Sequence, residues 1–295
     1  MLHRFLTTLA AASICLCASP AVPLPSTAPP DDPELTFDSA PLPSDAEFAR
    51  AARTDPIRML NLAAKRYKIA KPEGEKPPIA GYTATFHKRE RIGGELHPQE
   101  VIRVAYREEP YAVRMIWEQG SRKQVLGTIF ATDQNDGKML VWHRLLGVLP
   151  LDPKGSGPRS SARYTLEEFG FYFSTKRALR AWTQARAQGS LTWAYVGTRN
   201  VPEAGGRACH IVKRTCAVDE IDAFAAGEPS PRITDSNRAD SVRTVTLYFD
   251  AKTWLQVGSE LHRADGEPVG SYFYRDVVLN PSMPPATFTR ASLRK

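Results

Sequence analysis

The chain is short of the residues that mark most metal-dependent and nucleic-acid-binding proteins. It has four cysteines in 295 residues, Cys15, Cys17, Cys209 and Cys216, and they lack zinc-finger spacing. The histidines beyond the N-terminus, His87, His97, His143, His210 and His262, are scattered, and only Cys209-His210 brings two ligand types together. "KGSG" at Lys154–Gly157 lacks the Gly-Lys-Ser/Thr end of a phosphate loop. Ser156 lacks the strand–nucleophile–helix setting of a hydrolase elbow. Glu108-Glu109 and Glu167-Glu168 are adjacent pairs, which point to opposite faces on a strand and make poor acid–base partners. Helix-turn-helix patterns and solenoid repeats are absent, so nucleic acid is excluded as a partner. The net charge is +7, from 39 basic and 32 acidic residues. These are mixed along the chain without a lysine block, as on a solvated surface. Composition implies no cofactor and no metal.

What is present begins with a leader. "MLHRFLTTLAAASICLCASPA" has a basic start at Arg4 and an apolar run from Phe5 to about Ala18. That run is short for a membrane span, and the small residues Ser19 and Ala21 suit cleavage after Ala21. Residues 1–21 therefore read as a signal peptide, and the product as periplasmic or secreted. Ile14 and Leu16 stand where lipidation of Cys15 or Cys17 would need a small residue, so membrane contact is at most peripheral. Residues 22–44, rich in Pro, Ser, Thr and Asp, read as a flexible tether.

Residues 45–290 read as one domain. Ser44 or Asp45 caps a first helix, and Asp55-Pro56 caps a second that carries Leu60, Ala63, Ala64 and Tyr67 on one stripe. From Gly81 the period becomes two. Tyr82, Ala84 and Phe86 alternate against Thr83, Thr85 and His87. Tyr111, Val113, Met115 and Trp117 share a face on a later strand. Short turns at Gly93-Gly94 and Gly120-Ser121 imply an antiparallel meander. A Gly/Pro/Ser loop follows "MLVWH". "LEEFGFYFSTKRALRAWTQARAQG", from Leu166, reads as helical, at least from about Ser174, and ends at Gly189; two strands come next, then an irregular stretch over 217–240 and three closing strands. In the last of these, Phe273, Val277 and Leu279 fall on one face and Tyr272, Tyr274 and Val278 on the other. The expectation is an α+β fold: one large curled antiparallel sheet of about ten strands, a half-barrel, with helices packed over its concave face.

Two cysteines survive leader removal, and exported chains permit disulfides. Cys209 and Cys216 can bond if the chain turns near Lys213–Thr215. A continuous strand would hold them roughly 23 Å apart, too far to bond.

"YTATFHKRERIGGELHPQEVIRVAYREEPYAVRMIWE" resembles the opening of an uncharacterised family of exported bacterial proteins. "VTLYFDAKTWLQVGSELHRADGEPVGSYFYRDVVLNPSMPPATF" resembles its ending. That family in turn looks like the lipoprotein-carrier half-barrels, which the resemblance implies hold an acyl chain beneath a helical lid. The candidate ligand-binding residues are the apolar side chains on separate strands: Phe86, Met115, Trp117, Ile129, Trp142, Trp193, Tyr195, Phe249 and Leu255. Facing one concavity, they would form an apolar pocket. The alternative is a core filled by helices. The expected function is non-catalytic binding of a lipid, acyl chain or acylated protein in the envelope. The alternatives are a scaffold or regulatory protein that binds an envelope partner, and then a hydrolase.

Overall fold

The computed structural model describes residues 42–68, 79–220, 235 and 237–294. The expected leader and nearly all of the tether lie outside these residues. So does most of the 217–240 stretch.

Two helices lead. Ser44 caps α1 (Asp45–Thr54): its hydroxyl accepts from the Glu47 amide and the Glu47 carboxylate accepts from the Ser44 amide. Asp55 then caps α2 (Pro56–Lys68), accepting from the Arg58 amide at 3.2 Å. Among the described residues twelve strands share one antiparallel sheet. They are β1 (Gly81–Ile92), β2 (Glu95–Leu96), β3 (Glu100–Arg107), β4 (Ala112–Gln119), β5 (Val125–Ala131), β6 (Met139–His143), β7 (Gly147–Leu151), β8 (Thr192–Val201), β9 (Arg207–Glu220), β10 (Val242–Asp250), β11 (Gln256–His262) and β12 (Pro268–Leu279). Between β7 and β8 run a short α3 (Ser156–Arg159) and a long α4 (Phe171–Ala187). The spatial order is β7-β6-β5-β4-β3-β1-β12-β11-β10-β9-β8, with β2 beside β1. Among the described residues the sheet is open, with β7 and β8 at its edges.

Three segments differ from the sequence expectation. "GVLPL" forms β7, where the loop was expected to begin. Its Pro150 is tolerated because β7 is an edge strand with one side free of the ladder. β9 runs on through Glu220, so 217–220 is strand rather than irregular chain. Within the stretch read as helical from Leu166, Leu166–Glu168 forms a separate 3-10 turn and α4 starts at Phe171. Gly170 precedes it at φ 117, and a Cβ there would meet the Tyr82 hydroxyl oxygen at 2.8 Å, so only glycine fits.

The last strand carries a further correction. Asp276 has φ 50, and the β1–β12 register shifts between Thr83 and Thr85. An extra residue in one strand reverses the alternation beyond it. Val277 and Leu279 therefore join the side of Tyr272 and Tyr274, while Phe273 stays on the other. Val278 is turned outward, 54% exposed.

The outer face of β4–β7 is covered by the C-terminal segment. Phe288 and Leu293 pack there on Ile116, Ile129, Leu140 and Val148. On the inner face, helices fill one half. Phe48, Met59, Leu60, Leu179 and Trp182 pack on Val212, Leu247 and Phe249. Phe48 stacks on Trp254 at 4.5 Å between ring centroids, and the Trp254 indole donates to Asp45. These contacts fix α1 to the sheet. Among the described residues no helix is long and apolar enough to cross a membrane.

Candidate functional site

The other half of the inner face is not filled. Over β1, β3–β7 and β9–β12 it encloses a cavity of about 500 Å³. Period-two alternation supplies the wall: Phe86 from β1, Ile102 from β3, Met115 and Trp117 from β4, Met139 and Val141 from β6, Leu149 and Leu151 from β7. One end is closed by an aromatic cluster. Tyr82 stacks on Tyr106 at 4.7 Å, and Phe171 lies 4.4 Å from Tyr82 and 4.5 Å from Tyr274 between centroids. α4 forms the far side with Ala178, Ala181 and Trp182. Of the described lining residues only Lys123 and Gly157 are exposed, which places the mouth between the β4–β5 turn and α3.

The mouth end is polar. Phe86, Lys88 and Glu90 alternate along β1 and point the same way. The Lys88 ammonium lies 3.1 Å from Glu90 and 2.7 Å from Glu100. Burial lowers the Lys88 pKa, but the two carboxylates outweigh it and hold the group above its ordinary value. Glu90 also accepts from the Tyr272 hydroxyl at 2.9 Å and the Arg163 amide at 3.3 Å. Burial first, and Glu90 second, push the Tyr272 phenol well up. Arg214 forks onto Glu220 at 3.0 and 2.6 Å. Arg177 lies 3.9 Å from Glu168 and over the Tyr164 ring. Among the described residues no group of three His, Cys, Asp or Glu side chains is placed to hold a metal.

Of the nine side chains singled out from sequence, Phe86, Met115 and Trp117 line this cavity. Trp193, Tyr195 and Phe249 lie on the inner face but within the half packed by helices. Ile129 and Trp142 are on the outer face with Phe288 and Leu293. The β5–β6 register shifts between Val125 and Gly127, and Thr128 and Val141 point inward in their place. Leu255 sits in the connection before β11. The choice between an open and a filled inner face thus has a divided answer: both occur, and the cavity borders the helix-packed part along Leu247 and Trp182. No disulfide joins Cys209 to Cys216. β9 is continuous between them, so the geometry is that of the extended alternative. Sequence reasoning passed over Lys88, Glu90, Glu100, Arg122 and Lys123. Two charges in phase with Phe86 on an otherwise apolar strand face were the available signal.

Residues 79–226 match the family described as a protein of unknown function, DUF1571, and the chain belongs to that family. No curated protein shows a match. Similar solved structures include MucB, with TM-score 0.44 and 12% identity over 80% of this chain; the match spans 63% of MucB. Another is the lipoprotein LppX of Mycobacterium tuberculosis, with TM-score 0.39 and 13% identity over 81% of this chain and 99% of LppX. A DUF1329 family protein from Desulfovibrio piger gives TM-score 0.39 and 11% identity over 81% of this chain and 100% of its own.

Proposed function

We propose that this protein is an exported envelope protein that binds a lipid or acyl chain in the open half of its sheet and performs no chemistry on it. The observation that carries this reading is the cavity itself: about 500 Å³, walled by aliphatic, aromatic and methionine side chains from both sheet and helix. A concave apolar site with few polar groups suits small apolar ligands. Burying hydrocarbon there yields roughly 25 cal/mol per Å². The cavity carboxylates are engaged as counterions, Glu90 and Glu100 to Lys88 and Glu220 to Arg214, which favours binding over acid–base work. The leader, tether and single domain expected from sequence belong to the same proposal.

The test is saturable binding of a neutral fluorescent probe, N-phenyl-1-naphthylamine, to the delipidated full chain. Val141→Trp should fill the cavity and lower affinity by about tenfold or more while leaving the melting temperature near wild type. Absence of probe binding, with no lipid in native mass spectra, would refute the reading. A second reading, docking to an envelope protein, is favoured by Leu145 and Leu146. They are 74% and 66% exposed at the tip of the β6–β7 hairpin. A photocrosslinker at position 146 should then trap one defined partner in cells; no adduct removes this reading.

A further inference from the structure

The cavity wall has a charge imbalance confined to its mouth. Its other cations each face a carboxylate: Lys88 faces Glu90 and Glu100, Arg177 faces Glu168, and Arg214 faces Glu220. Arg122 and Lys123, in the β4–β5 turn, form no ion pair among the described residues. Their bonds go to neutral acceptors. Lys123 Nζ donates to the Ser160 hydroxyl at 2.8 Å, the Ser161 hydroxyl at 3.0 Å and the Ser160 carbonyl at 3.3 Å. Arg122 donates to the Ser161 carbonyl at 3.4 Å. The neighbouring hairpin tip adds Arg144, and neither segment, 120–125 or 143–147, contains a carboxylate.

A second observation lies on the same wall. The Trp117 indole Nε1 is buried, lines the cavity, and has no hydrogen-bond partner among the described residues. Indole N–H is a donor only. A buried donor left unmatched costs about 1–3 kcal/mol, which an acceptor would recover. Trp117 stands five positions before Arg122, near the end of β4. The Thr128 hydroxyl is also buried in the wall and unmatched.

We infer that the ligand is an anionic amphiphile, oriented with its carboxylate or phosphate headgroup at the mouth and its hydrocarbon inside. Arg122 and Lys123 neutralise the headgroup, and the Trp117 N–H serves an oxygen at the headgroup–chain junction. The tail runs inward along Met115, Met139, Val141, Leu149 and Leu151. The apolar inner wall, which would leave a charged headgroup desolvated and unpaired, opposes the reverse orientation. This inference rests on the proposed binding function and adds a headgroup preference to it.

The experiment is displacement of bound N-phenyl-1-naphthylamine from the full chain by ligands of equal chain length: hexadecanoate, hexadecyl phosphate and hexadecanol. The two anions should displace the probe at concentrations about tenfold lower than the alcohol. The Arg122→Gln/Lys123→Gln double variant should bring the three to within about twofold, leaving the probe and the alcohol unchanged. Raising salt from about 0.05 to about 0.5 M should weaken the anions and spare the alcohol. A preference for only one anion identifies carboxylate or phosphate as the headgroup. Equal displacement by all three in wild type, or an anion preference that survives the double variant, overturns the inference while leaving apolar binding intact. Failure of the probe to bind refutes the binding function and the inference with it.

Discussion

Replacing Lys88 with methionine should be among the most damaging conservative-sized substitutions in the sheet. The ammonium sits between Glu90 and Glu100 with side-chain exposures of 12%, 3% and 5%. Methionine fills the same space but leaves two carboxylates facing one another in a nearly dry site. Breaking a buried ion cluster by removing one partner costs about 3–5 kcal/mol. At about 2–4 °C per kcal/mol for a domain of this size, the melting temperature should fall by about 6–20 °C. The deficit against wild type is read by urea denaturation at neutral pH. The triple variant Lys88→Met/Glu90→Gln/Glu100→Gln should recover much of the loss, because it removes the uncompensated charge. A Lys88→Met deficit below about 1 kcal/mol, or a triple variant no more stable than Lys88→Met, would refute this account of the cluster.

Two further predictions concern buried titratable groups. Burial, and then Arg53, hold the His210 imidazole below its ordinary pKa despite Asp45 and Asp250. It therefore folds neutral, and stability should fall as pH drops below about 6.5 towards the folded value; His210→Gln should flatten that slope, and an unchanged slope assigns the acid sensitivity elsewhere. Burial pushes the Cys209 thiol up to about 12, so iodoacetamide at pH 8 should leave it unmodified in the native protein and label it after denaturation, as read by peptide mapping. Rapid native labelling would contradict the burial.

Much of this fold was legible because its signals are local. The capping residues Ser44 and Asp55-Pro56, the turn glycines and the alternation of Tyr82, Ala84 and Phe86 each announce an element without reference to the rest. The half-barrel class followed from their order. What stayed hidden depends on pairing. The bulge at Asp276 and the shift between Val125 and Gly127 exist only relative to a partner strand, yet each reverses which side chains face inward. On β6 the alternation is regular, with Met139 and Val141 inward and Leu140 and Trp142 outward, but only the packing of the rest of the chain says which of the two faces is the inner one. Helix placement was equally unreadable: the sequence contains no statement of which half of the sheet α1, α2 and α4 will cover. Trp193, Tyr195 and Phe249 therefore could not be told from the true lining residues. Lys88 and Glu90 were visible in phase with Phe86, but a solvated strand face reads the same way until Glu100 is known to lie opposite.

The central seam of the sheet governs how the chain can acquire its shape. β1 and β12 pair along most of their length, with Tyr82 opposite Leu279, so the first long strand meets the last. β3 to β7 can zip up hairpin by hairpin on one side, and β8 to β11 on the other. Neither half is joined until the final strand arrives. Closing so long an excursion carries a large loop entropy that the seam's contacts repay only once formed. Such an order of events delays completion of the sheet until β12 has been delivered. The last step is the docking of β12 beside β1. Its rate, rather than that of any local hairpin, should set how long the unfinished edges stay open to aggregation during assembly.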